Sequence, residues 1–179
     1  KTATNTLMAG CKNTVIPSSV TALGIYAFSG CTGLTSITLP KGLEVVGVTG
    51  VMFKSKSSDL VVNKAQSIAQ KLRIEHKVID LSDDFQKKVI DYFNSSYKKG
   101  ITPNPCIKCN QFIKWGAIYD WAMNVCGADF YATGHYAKIK HDGDVSSLLK
   151  CADQNKDQTY FLSFLNQEQL HDVLFPLAD

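Results

Sequence analysis

The sequence predicts an α/β fold, a partial parallel sheet with flanking helices, over residues 43–179. Three observations point there. Short apolar, β-branched runs recur at 43–49, 76–80 and 129–133. The stretches between the first two and after the second repeat their apolar residues at helical spacing, and such strand–helix alternation favours parallel pairing. Composition also shifts near residue 42. Residues 1–40 hold Lys1 and Lys12 and no acid, whereas all 16 Asp and Glu lie from Glu44 onward. The chain therefore divides into residues 1–42 and 43–179.

Each element has its own warrant. Leu43 to Thr49, LEVVGVT, reads as a buried strand. Ser58 or Asp59 is placed to cap a helix through Leu72, with Val61, Ala65, Ile68, Ala69 and Leu72 on one face. His76 to Asp80 is the second strand. Asp83 to Lys99 is a second amphipathic helix, striped by Phe85, Val89, Phe93 and Tyr97 and stopped by Gly100. A third helix is expected from Gln111 to Val125, ending at Gly127. The strand at 129–133 should lie in one sheet with the first two. Tyr136 to Lys140 and Ser146 to Cys151 suggest a hairpin around His141-Asp142-Gly143-Asp144. Short helices should fill Asp157 to His171.

Bulk properties narrow the function classes. At 179 residues and 45% hydrophobic content, the chain can build a core. A net charge of +3 permits an RNA partner without demanding one. Six cysteines are too few for a disulfide scaffold, and reduced thiols fit a cytoplasmic setting. The opening residues lack an initiator Met and an apolar signal region, so no signal peptide is expected. No apolar run nears the ~20 residues of a membrane span, so no membrane partner is expected.

The chemistry concentrates in Gly100 to Trp115, GITPNPCIKCNQFIKW. Pro103 and Pro105 should stiffen Thr102 to Cys106 into an extended loop. Asn110 is then positioned to cap a helix starting at Gln111. Cys109 would sit at the positive end of that helix, beside Lys108 and Lys114, which favours thiolate. On these grounds Cys109 should alkylate fastest of the four cysteines in 41–179, and Cys106 second. C-x-x-C is also half of a zinc or iron–sulfur site. The other half is missing here, because Cys126 and Cys151 stand alone, so no metal is expected.

TPNPCIKCNQFIKW resembles the T-P-N-P-x-x-x-C-N-x-x-I-K-[FW] signature of tRNA-specific 2-thiouridylases. ATGHYAKI at Ala132 to Ile139, KDQTYFL at Lys156 to Leu162, and FPL at Phe175 to Leu177 follow in that family's order. The resemblance covers residues 43–179 and implies an adenine nucleotide alpha hydrolase-like fold. It implies ATP-dependent sulfur transfer to the wobble uridine of tRNA: ATP adenylates the C2 oxygen, and a persulfide of a sulfur donor protein supplies sulfur to C2. It implies that Cys109 is the first catalytic cysteine, as nucleophile or base. It implies that Asn104, Pro105 and Cys106 meet the target base, that Gly134 lies against ATP, and that His135, Lys156, Asp157 and Gln158 contact tRNA. Many relatives carry Asp where this chain has Cys106, which removes an acceptor carboxylate from the base site.

Two family parts have no counterpart here. The S-G-G-x-D-S pyrophosphate loop, whose backbone N–H groups hold phosphates, should precede Leu43. The persulfide-carrying second cysteine should follow FPL. Residues 10–40 instead hold an imperfect repeat, in which Gly10-Cys11 matches Gly30-Cys31 and Ile16-Pro17 matches Leu39-Pro40. This segment resembles BspA-type leucine-rich repeats, with a short strand expected at Ser36 to Leu39 and packing roles for Cys11 and Cys31. The chain thus reads as a middle piece of a thiouridylase joined to a leucine-rich-repeat fragment. The competing reading is a non-enzymatic interaction module in which the repeat segment does the work, or an inactive fusion fragment.

Plainer roles exist for the same residues. His135 can hydrogen-bond its own turn. Lys156 and Asp157 can be a solvated surface pair. Tyr92, Phe93, Tyr97, Trp115 and Trp121 sit at helical spacings suited to core packing.

Overall fold

The computed structural model describes residues 14–15, 37–38 and 44–178. Thr14–Val15 (β1) and Ile37–Thr38 (β2) pair in parallel, Thr14 opposite Ile37. The rest of the expected repeat at 10–40, with Cys11 and Cys31, lies outside the described residues.

Val46–Val51 (β3) and Glu75–Asp80 (β4) form a parallel pair, Val46 opposite Glu75. They are joined by the helix Lys56–Leu72 (α1). The first strand starts three residues later than expected and runs two further. α1 is capped by Ser55, not by Ser58 or Asp59: the Ser55 hydroxyl accepts from the Ser58 N–H at 3.2 Å. The expected apolar face is rotated. Ala69 is buried, but Val61 and Ile68 are 58% and 48% exposed. Val62, Ala65, Ala69 and Leu72 form the inner face instead, the helical spacing a helix needs to lie on a sheet.

The next helix (α2, 82–98) is built from Ser82–Phe85, a π-helical stretch Gln86–Ile90, and Asp91–Lys98. Gly100 ends it with φ 71, a conformation that costs glycine little. Val89 is buried at 2% exposure, whereas Tyr97, at the end of the predicted stripe, is 58% exposed.

The third helix (α3, 105–125) runs through Pro105–Cys109, a π-helical stretch Asn110–Ile118, and a second one at Trp121–Val125. It starts six residues before the expected Gln111. Proline at the first helical position keeps its fixed φ and loses no intrahelical bond. Asn104, the actual cap, keeps out of the helical region, as the residue before a proline must (φ −116°, ψ 85°). In the π register each N–H reaches five residues back: Cys126 N–H bonds the Trp121 carbonyl at 2.9 Å.

The expected three-stranded sheet is not what forms. Tyr131–Ala132 (β5) pairs in parallel with Val173–Leu174 (β8), Tyr131 opposite Val173, and not with β3. The β3–β4 and β5–β8 pairs nevertheless share one core. Val48 of β3, Tyr131 of β5 and Val173 of β8 join Ile113, Trp115, Ile118, Leu162 and Phe175 in a single buried cluster. Ala137–Asp142 (β6) and Val145–Lys150 (β7) form the expected hairpin, tightened to the two-residue turn Gly143-Asp144, with Gly143 at φ 61. A 3₁₀ turn at Thr159–Leu162 and the helix Gln167–Asp172 (α4) fill the expected helical region. The Gln167 side chain fastens α4 to the hairpin by accepting from Ser146 N–H at 2.8 Å and donating to the Ser146 carbonyl at 3.0 Å.

Candidate functional site

The start of α3 collects three separate motifs. Asn104 makes the first link. Its side-chain oxygen accepts from Ile107 N–H at 3.1 Å, while its amide donates to the Tyr160 hydroxyl at 3.3 Å. Its own N–H donates to the Tyr92 hydroxyl at 3.3 Å. The loop before Pro105 is thereby fixed to both α2 and the 3₁₀ turn.

Asn110 makes the second link, and it is not a cap. Its backbone is helical, and its amide donates to the Cys106 carbonyl at 2.9 Å. That bond orients the side chain, so Oδ1 faces His135 Nε2 at 3.0 Å. Oδ1 can only accept, so Nε2 carries the imidazole proton. Nδ1 then accepts from the Thr133 hydroxyl at 2.7 Å. Both ring nitrogens are engaged, and the ring is buried against Trp115 and Phe175. Burial, reinforced by the Lys114 charge, lowers the His135 pKa to about 3. His135 is therefore a neutral internal strut, and it turns no free nitrogen outward to tRNA.

Gln158 makes the third link. Its side-chain oxygen accepts from Tyr136 N–H at 3.0 Å, and its own N–H donates to the Tyr136 carbonyl at 2.9 Å. Asp157 is likewise turned to its own chain. It accepts from the Thr159 hydroxyl at 2.5 Å, from Thr159 N–H at 3.2 Å and from Cys151 N–H at 3.2 Å. The Thr159 hydroxyl is the main reason its carboxyl titrates below the usual range. Lys156 alone of the four expected tRNA contacts is exposed, 5.3 Å above the Tyr136 ring and 3.4 Å from Asp153. Gly134 is half-buried between Thr133 and His135.

The two cysteines differ from expectation. Cys106 is exposed in the first turn of α3, and Cys109 is half-buried one turn further on. Cys109 thus does not precede the helix. Burial raises its thiol pKa, Lys114 opposes that shift, and Cys106 adds to it. Cys106 and Cys126 are exposed where Cys109 is half-buried, so accessibility and burial both work against the rapid alkylation expected of Cys109. Cys151 is buried, and its thiol donates to the Asp153 carbonyl at 3.0 Å. Among the described residues, no group of three or more His, Cys, Asp or Glu is placed to hold a metal.

Sequence reasoning missed Thr133, Tyr92 and Tyr160 as supports, and it misassigned Asn110. The Thr-Gly-His spacing is a signal for the Thr133 contact. Nothing local signals the tyrosines, which act from 12 and 56 residues away.

Comparison with known proteins decides the lineage. The family model described as tRNA methyl transferase HUP domain matches residues 39–179. The chain belongs to that family. This HUP-domain chain is 46% identical over 140 residues to the tRNA-specific 2-thiouridylase of Syntrophomonas wolfei, covering 77% of this chain and 40% of the relative. It is 49% identical over 121 residues to that of Ureaplasma parvum, covering 68% and 31%. It is 41% identical over 139 residues to that of Helicobacter hepaticus, covering 77% and 40%. The HUP-domain chain therefore spans two fifths or less of the length of these curated relatives.

Proposed function

We propose that residues 43–179 supply the base-recognition and first-cysteine portion of a tRNA uridine 2-thiolation enzyme. The observation that carries this is that TPNPCIKCN, ATGHY and KDQTY are bonded to one another, Asn104 to Tyr160, Asn110 to His135 and Gln158 to Tyr136. Three motifs far apart in sequence are bonded into one rigid constellation, as a site requires. In this reading Asn104, Pro105 and Cys106 form the rim that meets the uridine. Cys109 is the catalytic thiol, acting as nucleophile or base. Lys156 reaches the tRNA backbone as a point charge, while His135, Asp157 and Gln158 shape the RNA-facing surface from behind. Gly134 forms one wall of the ATP site. ATP activates the uridine C2 oxygen, and a persulfide donor protein supplies the sulfur. A cytoplasmic location belongs to the same reading. Among the described residues no helix is long and apolar enough to cross a membrane.

The test is a graft. Residues 43–178 replace the matching stretch of the Syntrophomonas wolfei relative, and 2-thiouridine in tRNA is measured by mass spectrometry in a strain lacking its own enzyme. We expect product, and its loss in Cys109→Ser. A folded chimera without product, or one that keeps making it as Cys109→Ser, overturns the reading.

We also read residues 1–42 as a leucine-rich-repeat fragment. The parallel pairing of Thr14–Val15 with Ile37–Thr38 supports it, since stacked repeats present such strands side by side.

A further inference from the structure

We propose that Tyr160 is a base-stacking contact for the RNA substrate: its exposed ring takes an unpaired base that flanks the target uridine. The inference deepens the reading of Asn104, Pro105 and Cys106 as the rim that meets the uridine, and it rests on that reading.

Tyr160 lies on the 3₁₀ turn Thr159–Leu162, which packs against the start of α3. A tyrosine usually buries its ring and leaves the hydroxyl in water. Here the ring is 63% exposed, and the hydroxyl is tied down by the Asn104 amide at 3.3 Å. The helix cap fixes the direction of that bond. Asn104 Oδ1 accepts from Ile107 N–H at 3.1 Å, so Nδ2 is the atom turned to Tyr160. The Tyr160 hydroxyl accepts, and its own hydrogen meets no acceptor among the described residues. Phe161 makes a T-shaped contact with the ring, centroids 5.4 Å apart, and can cover one face at most. The ring is a plate held at its tip, with a face open to solvent. Other exposed aromatics differ. Tyr97 packs on Phe93 at 4.9 Å, and Phe112 lies 5.1 Å from the Lys108 ammonium.

The surroundings suit a polyanion that carries planar bases. Asn104 stands between two phenols, since its N–H also donates to the Tyr92 hydroxyl at 3.3 Å. The Lys108 ammonium sits 5.6 Å over the Tyr92 ring and is bridged to no carboxylate among the described residues. Lys156, exposed, precedes Tyr160 on the same loop. The Asp157 carboxylate is spent on Thr159 and Cys151 N–H. Unpaired RNA is held by this combination, with bases stacked on aromatic faces and cations along the phosphates. A uridine turned in toward Asn104 and Cys106 leaves its neighbour without a stacking partner. Tyr160, bonded to Asn104 itself, supplies the replacement surface at the rim.

The test is fluorescence anisotropy with a labelled RNA hairpin whose single-stranded loop contains uridines, titrated with this chain over a range of salt concentrations. Tyr160→Ala, Tyr160→Leu, Tyr160→Phe and Lys156→Gln are compared with the unsubstituted protein, and circular dichroism reports the fold. Losing one stacked base should weaken Tyr160→Ala by about tenfold. Tyr160→Leu keeps bulk without a π face and should be as weak. Tyr160→Phe loses the Asn104 bond but keeps the ring, and should bind like the unsubstituted protein. The Tyr160 variants should keep the salt slope, whereas Lys156→Gln should lower it by about one. A Phe variant as weak as Ala, or a Leu variant as strong as Tyr, overturns the proposal, as does a chain that binds no hairpin. If Tyr160→Ala does not fold, Leu against Phe makes the same comparison. In the graft described above, Tyr160→Ala should raise the KM for tRNA with kcat little changed. An unmoved KM shows that another part of the enzyme covers the ring, and sinks the stacking role alone. A folded graft that makes no 2-thiouridine sinks the functional reading, and Tyr160 is then judged by the hairpin.

Discussion

Asn104 and His135 show how much single side chains hold here. Asn104 satisfies an orphan N–H of the first turn and ties the loop to Tyr160. Asn104→Ala should cost about 1 kcal/mol, the usual loss for a helix cap, measurable as a lower urea midpoint. His135 predicts a pH dependence. Its imidazole is held neutral with a pKa of about 3, against an ordinary 6.5. Below pH 6.5 the unfolded chain binds a proton that the folded chain refuses. The folded state therefore keeps its full stability above pH 6.5 and loses about 1.4 kcal/mol per pH unit as pH falls from there toward 3. His135→Gln should flatten that slope in urea titrations between pH 6.5 and 4; an identical slope in both proteins refutes the assignment. The sequence already contained the alternative that His135 bonds its own turn, and Thr133 shows it does. Asp157 and Gln158 were legible as motif residues but not as inward-facing ones. Asp157 turns back on Thr159 two residues on and on Cys151 N–H, while the Gln158 side chain meets Tyr136 N–H, 22 residues away, a contact that only the tertiary fold supplies.

At the level of elements, helix α3 carries the site and much of the core. Ile113 is fully buried, and Trp115 is 1% exposed. Ile113→Ala should cost about 2–5 kcal/mol, the range for emptying a packed aliphatic position, read by thermal denaturation. A loss below about 1 kcal/mol would mean the helix repacks freely. The existence of this helix was legible from its apolar residues, but its start was not. Pro105 has two opposite meanings, ending extended structure or opening a helix at its first position, and local sequence does not choose between them. The π register was invisible for a related reason. It changes which residues stack by one place, a difference smaller than the tolerance of any apolar stripe. The same limit explains α1, where Val62 rather than Val61 faces inward.

For the whole molecule, the class of fold was legible because strand and helix periodicities differ so clearly. The pairing of strands was not. Val173–Leu174 is two residues long and carries almost no pattern of its own, yet it is the partner of β5. It also delivers Val173 and Phe175, 1% and 4% exposed, to the central cluster. A chain cut after residue 166 should therefore lose cooperative unfolding altogether, seen as a broad, shallow thermal transition. A sharp transition would show that the core closes without β8. The β5–β8 ladder has one more consequence, for the order of events on the ribosome. Protein is made from its N-terminus, so Tyr131, Trp115 and Ile113 emerge long before Val173 and Phe175 exist. Until then their apolar faces have no lid, and a chaperone that binds exposed aromatic segments has its longest opportunity there. The arrival of Val173 and Phe175 ends it.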